Sequence, residues 1–308
     1  MPRTKNNIPV GHTEVGNNVY HRHFESCNAL TKHLQSLDPA KAWPKDGVFI
    51  RAIKGEEIKD EAFYFGKGRS STQALSDTLN GRASKLARKT FEEARQEMRK
   101  WIVDKGMDRS ATPVFGARNR RNVRGGGRVH VDRFIAGLDD CFVRRKRTKM
   151  QPVIRLGVGV CVSAGVDEKE FARTFGFACA TAEHLERCGF ATEIEAYALN
   201  EGTNSCYWQN GETGQNHLQT ITVKSHKRPL DVQALLSAGS PVLLRTLLFS
   251  LWCDNTEGTG MDASSGLGSV SKDIERAMPG HYDMIMPTRS GVDFIAKGLT
   301  KLLTDKAA

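Results

Sequence analysis

Residues 153–199 constrain the fold of this chain more than any other stretch, because they read as one uninterrupted strand–loop–helix–strand unit. The opening run, Val153-Ile-Arg-Leu-Gly-Val-Gly-Val-Cys-Val162, is apolar and β-branched, the pattern of a strand buried on both faces. A small-residue loop, Ser163-Ala-Gly165, follows, and Asp167, Glu168 and Glu170 precede or open a helix from about Lys169 to Arg187. Gly189 ends it, and a second strand spans Ala191–Leu199. Strand 153–162 is too apolar for a sheet edge, so it is expected at the centre of a sheet, in a C-terminal half that folds alone.

That half continues with a strand at 218–224, helices at 229–237 and 241–253, a strand at 281–286 and an amphipathic helix at 291–306. Strands alternating with helices predict a doubly wound, largely parallel α/β sheet covered on both faces. The N-terminal region reads as mainly helical α+β. Residues 24–37 make an amphipathic helix with Ser26 as N-cap, residues 47–53 and 62–66 read as strands, and Ser71 opens a helical pattern through Leu79. A charged helix at 82–105 places Leu86, Phe91, Ala94, Met98, Trp101 and Ile102 on one side, and Gly106 suits a left-handed cap. The expected organisation is a flexible N-terminus (1–22), an N-terminal α+β region (23–107), a basic Gly/Arg-rich linker (108–149) and the α/β domain (150–308).

At 308 residues, with 39% hydrophobic and 26% charged residues, the chain has an ordinary globular composition. It contains no apolar run of the length a bilayer needs, and its start, Met-Pro-Arg-Thr-Lys, has no apolar segment behind it. A cytoplasmic location without membrane contact is the expectation. The seven cysteines are widely spaced with no Cys-x-x-Cys pair. They read as reduced thiols, Cys161 and Cys179 being small buried hydrophobes.

Chemistry-bearing patterns are sparse. Gly157-Val-Gly159 lies inside a strand, so it lacks the phosphate-cradling turn of a dinucleotide site; close packing of a neighbouring helix is the expected use. His12, His21, His23, Cys27 and His33 match no zinc spacing. Glu193 and Glu195 share one face of a strand and read as solvated charges. No catalytic set can be assigned, and no cofactor is expected.

The unit at 153–199 resembles the opening of a von Willebrand factor A-like domain, a Rossmann-like doubly wound fold. In that family an Asp-x-Ser-x-Ser loop holds a divalent cation, and here its three positions fall on Cys161, Ser163 and Gly165. A thiol and a glycine supply no hard oxygen ligand, so the resemblance implies a degenerate, metal-free loop. A broader similarity rests on Gly127-Arg-Val-His-Val-Asp-Arg-Phe-Ile-Ala-Gly-Leu-Asp-Asp-Cys-Phe142, on Pro229-Leu-Asp-Val-Gln-Ala-Leu-Leu236 and on Leu243-Leu-Arg-Thr-Leu-Leu-Phe-Ser-Leu-Trp252. These look like an uncharacterised family of bacteriophage-encoded proteins, which implies a viral or prophage origin without an activity.

The net charge of +10 is concentrated at the junction: residues 118–149 hold eleven Arg or Lys against three Asp, a net of +8. Residues 151–308 hold fourteen basic and eighteen acidic residues, a net of −4. Arg118, Arg120, Arg121, Arg124 and Arg128 offer guanidinium forks in a glycine-rich context suited to phosphates, and Arg144, Arg145, Lys146 and Arg147 form a second cluster. Few aromatics lie between them, so base stacking is not expected. Two expectations follow. One is a non-enzymatic interaction protein with a protein partner, from phage or host; the other is a sequence-independent nucleic-acid binder acting through 118–149.

Overall fold

The computed structural model describes residues 12–14, 19–36, 48–59, 61–65, 68–80, 82–107, 120–123, 128–129, 135, 142–145, 152–160, 166–201, 216–252, 269–270 and 274–307. The strands are β1 His12–Glu14, β2 Val19–Phe24, β3 Arg120–Val123, β4 Arg128–Val129, β5 Phe142–Arg145, β6 Val153–Gly159, β7 Ala191–Glu201, β8 Asn216–Lys224, β9 Ser269–Val270 and β10 Met284–Met286. The helices are α1 Cys27–Ser36, α2 Val48–Ile53, α3 Ala62–Phe65, α4 Ser71–Leu79, α5 Lys85–Asp104, α6 Glu168–Arg187, α7 Val232–Ala238, α8 Phe249–Trp252, α9 Ile274–Ala277 and α10 Val292–Ala307. A π-helical stretch, Leu243–Leu248, runs into α8.

The chain is an α/β protein built on a seven-stranded mixed sheet in the order β1-β2-β8-β7-β6-β10, with β9 on β7. From β2 to β10, β2/β8, β7/β6 and β6/β10 are parallel and β8/β7 is antiparallel. Strand β6 is interior, flanked by β7 and β10, as its apolar run requires.

Local signals explain the element ends. Asp167 accepts from the backbone N–H groups of Lys169 and Glu170 at 3.0 and 3.2 Å, capping α6. Ser26 does the same for α1 through Ala29 at 3.1 Å, and Ser84 for α5 through Ala87 at 2.9 Å. Gly106 and Gly189 close α5 and α6 at φ +69° and +92°, a region open to glycine without steric cost.

The two faces of the sheet differ in chemistry. Ile154, Leu156 and Val158 of β6 and Ile194, Ala196 and Ala198 of β7 join α1, α5, α6, α7 and α10 in one apolar core. That core runs from Phe24 to Leu302, across the expected junction. Helix α5 lies along α6, burying Phe91, Ala94, Met98 and Ile102, each of the larger ones worth about 1.5–3 kcal/mol. Their approach depends on Gly176, where an added Cβ would sit 2.4 Å from the Phe91 carbonyl oxygen. The other face carries a separate apolar patch, Tyr197, Leu199, Leu218, Ile274, Met278 and Tyr282, and beside it a polar cleft.

Several expectations are corrected. Residues 48–53 and 62–65 are helical, not extended. Ile50 and Ile53 enter the main core while Ala52 enters another buried cluster with Phe65, so the short run is apolar on two sides and its periodicity cannot separate helix from strand. Leu86 is exposed rather than packed. Residues 12–14 and 19–22, within the stretch read as a flexible N-terminus, are strand, because β2 finds a ladder on β8 nearly two hundred residues away. In the stretch read as a linker, β3, β5 and β4 form an antiparallel three-stranded sheet. Among the described residues no single helix is long and apolar enough to cross a membrane; α7 and Leu243–Leu251 meet that test only as a pair bent by 59°.

Candidate functional site

The polar cleft is assembled from β2, β8 and β7. Alternation along β7 puts Glu193, Glu195 and Tyr197 on the face away from the main core. A register shift between Ile194 and Glu195 pairs Ile194 with Lys224 and Glu195 with Thr222, an irregularity of the kind that re-aims side chains. It leaves Lys224 to bond the Thr192 carbonyl and the Glu186 carboxylate, both at 2.7 Å, while Thr222 stays beside Glu195.

Glu195 is a buried carboxylate, with its side chain 8% exposed. Tyr282 donates its hydroxyl to Oε2 at 3.0 Å, and His281 Nε2 lies 3.2 Å from the same oxygen. His23 Nδ1 stands 3.9 Å from Oε1 and 2.8 Å from Thr220 Oγ1. His21 Nε2 reaches the same hydroxyl at 2.8 Å. Glu193 pairs differently: His226 Nδ1 is 2.7 Å from its Oε2, and Arg155 Nε is 3.5 Å from its Oε1.

Glycine makes this arrangement possible. Gly157 is the register partner of Glu195, and an added Cβ there would sit 2.8 Å from Cγ and Cδ2 of Tyr282. Without a side chain at 157 the tyrosine ring lies over β6 and its hydroxyl reaches β7. A Cβ at Gly159 would meet the Tyr197 hydroxyl at 3.1 Å, and the two tyrosines stack with centroids 5.7 Å apart. The glycines therefore admit tyrosines, not a helix.

Burial pushes the Glu195 carboxyl up, but the His281 hydrogen bond, attraction to His23 and His281 and the Tyr282 hydroxyl together outweigh it and hold it below 4.5. The Tyr282 hydroxyl is pushed well above 10.0, by burial first and then by the charge of Glu195. Glu195 is thus an ionised acceptor at neutral pH, ill matched to a proton shuttle, which works best near the operating pH. Cys27, at the cleft wall, is pushed up to about 11 by burial, which keeps it a thiol and a poor nucleophile.

The cleft encloses about 760 Å³, within the range of ligand sites. Its floor includes His23, Glu193, Glu195, Thr222 and His226, with residues of α1, α4 and α7 on the walls. Lys227 and Arg228 are exposed at its border.

Of the arginines singled out from sequence, Arg120 and Arg121 lie in β3, Arg128 in β4, and Arg144 and Arg145 in β5. The register brings Arg120 opposite Arg145 and Arg121 opposite Arg144. Arg118, Arg124, Lys146 and Arg147 lie outside the described residues, as does the loop Cys161, Ser163 and Gly165. Asp167, which follows that loop, caps α6. Among the described residues no group of three or more His, Cys, Asp or Glu is arranged to hold a metal ion. Glu195 is the site residue sequence reasoning misassigned, as a solvated charge. The alternating Glu193-x-Glu195 and the paired glycines of β6 were its only local traces, since His23 and Tyr282 arrive from distant segments.

The fold and cleft define an α/β protein with an apolar, helix-packed sheet face and a second face that carries Glu195 and its partners. The chain belongs to the family described as Domain of unknown function (DUF7192), whose model matches residues 5–288. No curated protein matches it, and no solved structure does.

Proposed function

We propose that the protein is a binding protein in which residues 150–308 form a von Willebrand factor A-like module, and the polar cleft that this module shares with β2, α1 and α4 engages another protein. The observation that carries this reading is the strand order β8-β7-β6-β10. Counted from β6, it is the 3-2-1-4 order of a doubly wound sheet, with β8 antiparallel. The low proton affinity of Glu195 favours recognition over acid–base chemistry. The resemblance to phage-encoded proteins points to a phage or host protein as the partner.

A second reading, backbone binding of nucleic acid, is favoured by the β3-β5-β4 register. That register gathers Arg120, Arg121, Arg128, Arg144 and Arg145 in one small sheet, a density of guanidinium-bearing residues suited to a phosphate backbone. One experiment separates the two. The full chain and its Glu195→Gln variant are used as bait in extracts of the cell that makes the protein, with and without nuclease and at two salt concentrations. A protein retained after nuclease and lost with Glu195→Gln supports the first reading. Retention abolished by nuclease or by 200 mM salt supports the second, since six to ten phosphate contacts lose roughly 10³–10⁵ in affinity between 50 and 200 mM. Retention of neither sinks both.

A further inference from the structure

We propose that the cleft recognises a cationic nitrogen group, the ammonium or guanidinium of a partner polypeptide, which donates to Oε1 of Glu195. This rests on the protein-partner reading and names what the partner presents. Glu193 has its guanidinium already, from Arg155. Glu195 has no lysine or arginine: among the described residues its partners are Tyr282, His281 and His23. Both hydrogen bonds fall on Oε2. Among the described residues Oε1 has only His23 Nδ1, at 3.9 Å, beyond hydrogen-bond reach, and that nitrogen is engaged by Thr220.

His23 lines the cleft with Glu195, and His281 and Tyr282 do not, which puts Oε1 on the cleft side. A carboxylate this buried is costly unless its charge is paired and its lone pairs are filled. At the border, acidic Glu25 and Asp231 stand with basic Lys227 and Arg228, all exposed, so the border selects no sign and Glu195 does: a cationic tip pairs with it and an anionic tip is repelled.

The test uses the full chain and fluorescein-labelled hexapeptide pools carrying one lysine, one arginine, one acetyllysine or one norleucine, with free spermidine as competitor. Fluorescence anisotropy should show the lysine or arginine pool binding and the acetyllysine and norleucine pools failing. Glu195→Gln should weaken binding by about 10- to 100-fold, the worth of a charged hydrogen bond. The acetyllysine comparison, made on wild-type protein, decides the matter even if that variant does not fold. Spermidine binding in place of any peptide would assign the same chemistry to a small polyamine. Equal binding of the acetyllysine pool, or no binding by any amine, overturns the inference; a partner still captured from extracts would leave the broader reading standing.

Discussion

Gly157 and Glu195 face each other across β6 and β7, and each has a testable consequence. Gly157→Ala drives a methyl group into the Tyr282 ring, so it should destabilise the protein by about 1–3 kcal/mol, the usual cost of overpacking. Urea unfolding would measure it. Adding Tyr282→Ala should make the double variant less unstable than the sum of the singles, because the second change removes the clash. Glu195 governs acid sensitivity. Its folded-state value lies below the ordinary 4.5, so the unfolded chain binds the proton more readily. The stability it contributes is fully present above about pH 4.5 and is lost as pH falls through the folded value. Glu195→Gln should therefore differ most from wild type near neutrality, and the gap in melting temperature should narrow below pH 4.5. A gap that widens on acidification would contradict the assignment.

At the scale of elements, the α5–α6 pair is the most constrained contact. Gly176 lets the helices close, and Glu183 of α6 bonds Arg95 and Arg99 of α5, the latter at 2.7 Å from Nη2. Burial pushes the Glu183 carboxyl up, but the two guanidinium partners outweigh it and hold it low. Gly176→Ala must move the Phe91 backbone and should cost at least as much as Gly157→Ala, because backbone yields less readily than a ring. Glu183→Gln should cost about 1–3 kcal/mol, between the values of exposed and buried pairs, and less in high salt. Thermal unfolding at 0.05 and 1 M salt checks both the size and the screening.

For the whole molecule, the shared core raises the question of autonomy. Residues 150–308 alone would leave β8 without β2 and the α6 face without Phe91, Ala94, Met98 and Ile102. An uncovered strand edge and apolar stripe favour association. The fragment is expected to aggregate, or to bind a hydrophobic dye with weak near-ultraviolet dichroism, while residues 19–308 remain a cooperative folding unit. A monomeric, cooperatively unfolding 150–308 fragment would show that the N-terminal elements only decorate the sheet.

Near-neighbour chemistry determined much of this protein from sequence. The apolar run of β6, the capped 20-residue helices α5 and α6 and the interior place of β6 follow from periodicity, caps and burial, which act over a few residues. The same rules failed at 62–65, and at 48–53, where buried surroundings on two sides erase the period. The cleft was decided by tertiary structure alone. Strand pairing brings His23 to Thr220, a shift in register sets Thr222 beside Glu195, and a glycine lets Tyr282 cross a strand. Burial by groups up to 172 residues away along the chain turns a surface-looking glutamate into a buried anion. No local pattern encodes that, because the energy of a buried charge depends on what the fold places around it.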